Sequence, residues 1–387
     1  MNLEHMSDYQ KLLPYGSFIA GLKELRDTLP KEVHCKFDCH VRTMVKDLST
    51  DVGGLLHNLD EGKHKIAQVR KMVRAFPSAL LCKNYKGWMP IQSAARSKKS
   101  VMFVPLLAEE GLAYNVGGKN GRGGLLVEYS TLMFQPNVIM ILNSIRSVDG
   151  SSSLLDKQYL GVLKMLKKMK LLKKKDLRQY DLLHCACEPL SKERFQYLIK
   201  WDKSALEKYE YMCEPFLHAS ITSKMETSES FAMTLSAGMR HFPNEMGFLF
   251  KHNRKGETAL KVAIQFYGKE KTFDIITKSI PPSGNYPILH HAIQYAPDHL
   301  NDFAIRYPSA AFERDDRGRL FHHVALQCGK TLLNDPMFIL QLTDSVLEEN
   351  DPISGLLPFM IAARTRGGDL STVFHLIRRN PVCIQNK

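Results

Sequence analysis

Tyr307-Pro308-Ser309-Ala310-Ala311 is followed, after Phe312-Glu313, by the charged turn Arg314-Asp315-Asp316-Arg317-Gly318. Arg319-Leu320-Phe321-His322-His323-Val324-Ala325-Leu326 comes next. In physical roles this is a helix end broken by proline, a tight turn closed by glycine, and a new helix opening on apolar, His and Ala positions. Proline lacks a backbone donor and biases its predecessor away from helix, so it marks where a helix stops.

The pattern recurs. Gly87 leads to Pro90-Ile91-Gln92-Ser93-Ala94, Gly256 to Ala259-Leu260-Lys261-Val262-Ala263, and Gly355 to Pro358-Phe359-Met360-Ile361-Ala362. Three copies lack the glycine: Leu182-Leu183-His184-Cys185-Ala186, Phe216-Leu217-His218-Ala219-Ser220 and Ile288-Leu289-His290-His291-Ala292. The small residues fall at Ala94, Ala186, Ser220, Ala263, Ala292, Ala325 and Ala362, and after the first gap they are 34, 43, 29, 33 and 37 apart. A second column stands ahead of the turns, in Phe76-Pro77-Ser78-Ala79-Leu80, Trp201-Asp202-Lys203-Ser204-Ala205-Leu206 and the Tyr307 stretch, with Phe242-Pro243 and Asn380-Pro381 at related places.

A drifting period near 33, a turn before each helix pair, and a Pro-Leu-His-x-Ala-like string resemble the ankyrin repeat, over most of the chain beyond about residue 65. No copy carries the whole Thr-Pro-Leu-His-x-Ala string. The resemblance implies an all-α fold, an ankyrin-like solenoid of stacked helix-turn-helix units whose faces bury one another. On this reading residues 1–65 are an N-terminal helical cap and 66–150 the first, degenerate units. Residues 151–178 are a basic helical insertion, and 179–387 the C-terminal units.

Along the chain, Leu12, Leu13, Phe18, Leu22 and Leu25 suggest one apolar face and Val41, Met44, Val45 and Leu48 another, with a break at Gly53-Gly54. Helices are expected over Ile66–Phe76, Met89–Ala95 and Val101–Leu112. Gly117–Gly124, five glycines in eight residues, reads as an elongated turn, and Asn137–Ser147 as the outer helix of its unit. Ser151-Ser152-Ser153 reads as a loop. Tyr159, Leu163, Leu166, Met169 and Leu172 then form one helical stripe with lysines on the remaining surface. Asp335-Pro336 is expected to open a helix over Met337–Glu348, and Asp369 or Ser371 a last helix through Arg379. Asn380–Ile384 repeats the start of a further unit.

Of the net charge of +13, +8 lies between Lys157 and Arg178, where nine basic residues meet one acid, Asp176. The basic patch comprises Lys164, Lys167, Lys168, Lys170, Lys173, Lys174 and Lys175. Adsorption to an anionic membrane surface, docking on nucleic acid, and a nuclear-import patch at Lys173-Lys174-Lys175 are its functional readings. Against them stands a plain solvated helix face. No aromatics interleave along the segment, so its sequence offers no platform for stacking bases.

Eight cysteines, sparse and irregular, do not suggest a disulfide framework. No Asn-x-Ser/Thr acceptor occurs, no stretch approaches the ~18 apolar residues of a membrane span, and no signal pattern opens the chain. A cytoplasmic location is expected, with the nucleus as the alternative.

His34-Cys35-Lys36-Phe37-Asp38-Cys39-His40 has no second short-spaced Cys pair nearby, so it reads as an ordinary helix rather than a zinc site. The glycines around Gly121 lack the Gly-Lys-Ser/Thr ending and the full spacing of phosphate loops. Without a hydrolase or metalloprotease motif, the expectation is no enzyme and no cofactor. His184, His218, His290 and His323 share one repeat phase, where by resemblance an imidazole hydrogen-bonds turn backbone.

By the same resemblance, proteins dock on turn tips and concave helix faces. The tips here include Tyr85, Lys86, Trp88, Arg254, Lys255, Arg314, Arg317 and Arg319, whose basic bias points to an acidic protein partner. Ordinary solvated turn chemistry accounts for the same residues.

Overall fold

The computed structural model describes residues 22, 24–127, 136–145, 152–187, 190–207, 215–222, 228–280, 286–331 and 344–381. Among these residues the chain is all-α; no strand is present, only isolated bridges joining His252 to Thr258 and Arg314 to Leu320. It divides into two compact units, Met1–Asp202 and Lys203–Lys387. The recurrent small residues Ala94, Ala186, Ser220, Ala263, Ala292, Ala325 and Ala362 are all buried.

The first unit opens on α1 (Lys31–His57) and α2 (Ile66–Ala75). It continues through α3 (Pro90–Ala95), α4 (Val104–Ala113), α5 (Val138–Ser144) and α6 (Ser152–Lys168). It ends with α7 (Lys174–Gln179), α8 (Leu182–Cys187) and α9 (Lys192–Trp201). The expected break at Gly53-Gly54 is instead continuous helix. A Cβ on Gly53 would stand 2.5 Å from Cys82 Cβ, so the missing side chain serves close packing of α1 on the turn Pro77–Leu81. Leu12, Leu13 and Phe18 lie outside the described residues.

The short helices α3, α5 and α8 pack in succession, and the longer α2, α4, α6 and α9 do likewise. Val138–Ser144 therefore joins the row of short helices rather than the outer row. The basic α6, which already begins at Ser152, packs between α4 and α9. Its apolar stripe explains this: Tyr159, Leu163 and Leu166 are wholly buried, and the Tyr159 hydroxyl donates to Ala95 O at 3.1 Å. Burial pushes that phenol up to about 12. The stripe does not extend as one helix to Leu172. Lys170 takes a left-handed conformation, φ 61°, ending α6 before α7 begins.

Two buried ion pairs hold this layer. Arg194, 1% exposed, donates from Nε to Asp156 at 2.6 Å, from Nη1 to Leu142 O at 2.5 Å and from Nη2 to Ile145 O at 2.7 Å and to the Ser191 hydroxyl. One guanidinium thus joins α5, α6 and α9. Arg122 makes a bidentate pair with the fully buried Asp176, which also accepts from Lys173 N at 2.7 Å. Arg122 lies in the glycine-rich turn, whose backbone is pressed into α4: a Cβ on Gly123 would sit 2.0 Å from Ala108 O, and one on Gly111 2.5 Å from Gly123 O. These glycines serve close helix packing.

The second unit contains α10 (Phe216–Ile221), α11 (Ser228–His241), α12 (Ala259–Tyr267) and α13 (Lys269–Ser279). It continues with α14 (Ile288–Tyr295), α15 (Leu300–Arg306), α16 (Phe321–Gln327), α17 (Pro358–Arg364) and α18 (Leu370–Arg379). Helix α10 pairs with α11, α12 with α13, α14 with α15, and α17 with α18. Short helices again meet short ones, α10 on α12 and α14 on α16 on α17. Between the longer helices, Phe273 meets Phe303 edge-on at 5.0 Å and Lys269 pairs with Asp302 at 2.9 Å. Burying each such phenylalanine contributes roughly 1.5–3 kcal/mol. Asp369 caps α18 by accepting from Thr372 N at 2.7 Å. Most of the helix expected over Met337–Glu348, with its Asp335-Pro336 opening, lies outside the described residues, as do residues 382–387.

Candidate functional site

Four turn tips among the described residues are each built around one Asn or Asp. Asn84 Oδ1 accepts from Lys86 N at 2.9 Å and Trp88 N at 3.0 Å. Asn253 does the same for Lys255 N at 2.9 Å and Glu257 N at 3.0 Å, and Asp315 for Arg317 N at 3.0 Å and Arg319 N at 2.8 Å. Asp351 accepts from Ser354 N at 3.0 Å. The glycine that follows has φ of 75° at Gly87, 74° at Gly256, 78° at Gly318 and 68° at Gly355, a region costly for any residue with a Cβ. At the first three tips the Asn/Asp-x-x-Gly spacing is a sequence signal beyond the glycine alone; Asp351 stands four residues before Gly355.

Three in-phase histidines lock the tips from below. His218 Nε2 bonds Glu257 O, His290 Nε2 bonds Arg319 O and His323 Nε2 bonds Glu349 O, each at 3.0 Å. A carbonyl only accepts, so Nε2 carries the proton. Burial is the main cause holding His290 and His323 below the ordinary imidazole value, outweighing the carbonyl bonds that raise it. His322, next to His323 and near His290, is driven down to about 3, chiefly by burial. The fourth, His184, is half-buried on α8.

The tip residues divide by what they already touch. In the first unit Tyr85 is 92% exposed, Lys86 lies over the Tyr85 and Trp88 rings at 5.4 and 4.9 Å, and Arg96 lies over Trp88 at 4.1 Å. In the second unit Arg254, Lys255 and Arg317 are exposed, with no ion-pair partner among the described residues. Arg314 pairs with Glu349, and Arg319 pairs with Asp315 at 2.8 Å while donating to Gln327 at 3.2 Å. Those two arginines hold tips together, so only part of the basic bias faces outward. Burial works to raise the Asp315 carboxyl, but the bonds from Arg319 prevail and hold it below its ordinary value.

The basic patch is spread over α6, the turn after it, and the start of α7. Lys174 and Arg178 share Asp202 at 3.6 and 3.5 Å. Asp176, the segment's one acid, is spent on Arg122. Lys164, Lys167, Lys168, Lys170, Lys173 and Lys175 have no carboxylate partner among the described residues. The fold also supplies aromatics that the segment itself lacks: α9 sets Tyr197 and Trp201, one turn apart, beside α6. Lys167 Nζ lies 4.0 Å from the Trp201 ring centre and 5.4 Å from that of Tyr197; Lys164 Nζ lies 5.8 Å from Tyr197.

Among the described residues no cluster of three or more His, Cys, Asp or Glu is arranged to hold a metal. In the expected His34–His40 helix, His34 bonds Leu29 O at 2.8 Å and His40 bonds Lys36 O at 2.9 Å. No described helix is long and apolar enough to cross a membrane. Models of known protein families give no match to the chain, and neither does a search of curated proteins.

Proposed function

We propose that the chain is a non-catalytic interaction scaffold, an ankyrin-like solenoid of helix-turn-helix units with α1 in the N-terminal cap, which binds a protein partner through its turn tips. The observation that carries this reading is the repeated lock: a buried histidine on α10, α14 and α16 fixes the backbone of the next tip. Rigid tips lose little entropy on binding, which is what a docking surface needs. Arg254, Lys255 and Arg317, exposed and unneutralised, favour an acidic partner in the cytoplasm. The test is affinity capture with the full chain and with Arg254→Glu, Lys255→Glu, Arg317→Glu combined. Equal recovery of the same partner by both would sink the tip reading.

A second reading is favoured by the run of lysines without carboxylate partners on α6 and α7: the chain binds a polyanion through that strip, with Lys173-Lys174-Lys175 serving nuclear import as the alternative use. Such binding weakens steeply as salt rises.

A further inference from the structure

We propose that the surface shared by α6 and α9 binds single-stranded nucleic acid, with Tyr197 and Trp201 as stacking positions for bases and Lys164, Lys167 and Lys168 as phosphate contacts. This deepens the polyanion reading above and rests on it.

Nonspecific single-strand binding combines two things, a cationic track for the backbone and aromatic rings for successive bases. Here two helices supply them. Helix α6 brings lysines at 164, 167 and 168, which the helical repeat sets about one turn apart along one side. Helix α9 brings Tyr197 and Trp201, both half-buried, with ring centres 6.3 Å apart and planes inclined by 51°. The two helices pack together, so the rings lie beside the lysines. Lys167 over Trp201 at 4.0 Å shows that the ring attracts a cation in the free chain. A phosphate offers that ammonium a stronger partner, and its departure leaves a π-face for a base.

The local charge supports the same occupant. Asp176 is buried against Arg122, and Asp202 is engaged by Lys174 and Arg178, so neither opposes a phosphate along Lys164–Lys168. Glu193, one turn before Tyr197 on α9, pairs with Lys157 at 4.0 Å. Lipid insertion needs an apolar anchor at the rings. The exposed large apolar side chain on these helices is Leu154, about 15 Å along α6 from Lys164. A duplex, with its bases already stacked and paired, gains nothing from the rings.

The experiment uses the full chain carrying Trp88→Phe, which leaves Trp201 as the sole tryptophan, titrated with poly(U) of about a dozen nucleotides. Quenching of Trp201 fluorescence is expected, and Trp201→Leu should weaken poly(U) about tenfold while leaving heparin affinity unchanged. Lys164→Gln and Lys168→Gln combined should weaken both ligands and flatten the slope of log K against log salt by about 1.4 for poly(U). These lysines are exposed, and circular dichroism checks that the fold is retained. Heparin and poly(U) bound alike, with no quenching and no effect of Trp201→Leu, would overturn the base-stacking proposal and leave the polyanion reading standing. No binding to either would end both. Binding of phosphatidylserine vesicles or duplex RNA in preference to poly(U) would also overturn it.

Discussion

Acidification from pH 7 to pH 5 is expected to loosen the second unit through its buried histidines, and His322 sets the scale. Folded, its imidazole is neutral with a value near 3; unfolded, it returns to about 6.5. The folded value is the lower one, so the unfolded chain binds more protons throughout that interval. The contribution of His322 is therefore complete above about pH 6.5 and is lost as pH falls, down to about pH 3. At pH 5 the loss is about 1.5 pH units times 1.36 kcal/mol, or ~2 kcal/mol. His290, His291 and His323, all lowered chiefly by burial, act in the same direction. Asp315 and Asp351 are held below the ordinary carboxylate value despite burial, so their loss comes at lower pH. The assay is hydrogen exchange by mass spectrometry on peptides from α14 and α16, corrected for the intrinsic effect of pH. Protection in these helices should fall at least 30-fold, the equivalent of ~2 kcal/mol. His322→Leu, similar in size and unable to titrate, should remove about that share of the pH dependence. Equal slopes for the variant and the parent chain would refute the reasoning.

The buried hub and the glycine contact give two further tests. Arg194→Leu leaves Asp156 buried without its guanidinium and the Leu142 and Ile145 carbonyls without a donor, and should cost about 3–5 kcal/mol. Adding Asp156→Leu should restore much of that loss in urea unfolding, because the stranded charge is gone. Gly123→Ala places a methyl 2.0 Å from Ala108 O in a left-handed backbone, and should cost more than ~2 kcal/mol by thermal unfolding. Gly256→Ala, with the same sign of φ but no neighbour within 4 Å, should cost only about 1 kcal/mol.

Much of the repeat pattern was legible because it rests on local rules. Gly318 must supply positive φ, Pro308 must end a helix, and Ala325 must be small where helices meet; each constraint acts within a few residues. The His column was legible for the same reason, although its bonding partners lie 26 to 39 residues away, at the next tip. In the sequence Gly53 reads as a break and Gly123 as part of an elongated turn, whereas both serve close packing. Glycine is demanded equally by a turn and by close backbone approach, and only the neighbour, Cys82 or Ala108, tells them apart. Arg314 and Arg319 looked available at the tips because charge pairing with Glu349 and Asp315 depends on side-chain direction, which spacing alone does not give.

The sequence by itself determined the all-α class, the phase of the helix pairs and the concentration of positive charge between Lys157 and Arg178. Proline, glycine and the 3.6-residue period act on the backbone where they stand. Tertiary structure decided where that charge works: Asp176 is removed from it by Arg122, and Trp201 is brought to within 4.0 Å of Lys167. Packing of α6 against α9 joins residues more than 30 positions apart, and no local periodicity encodes which faces of two helices meet.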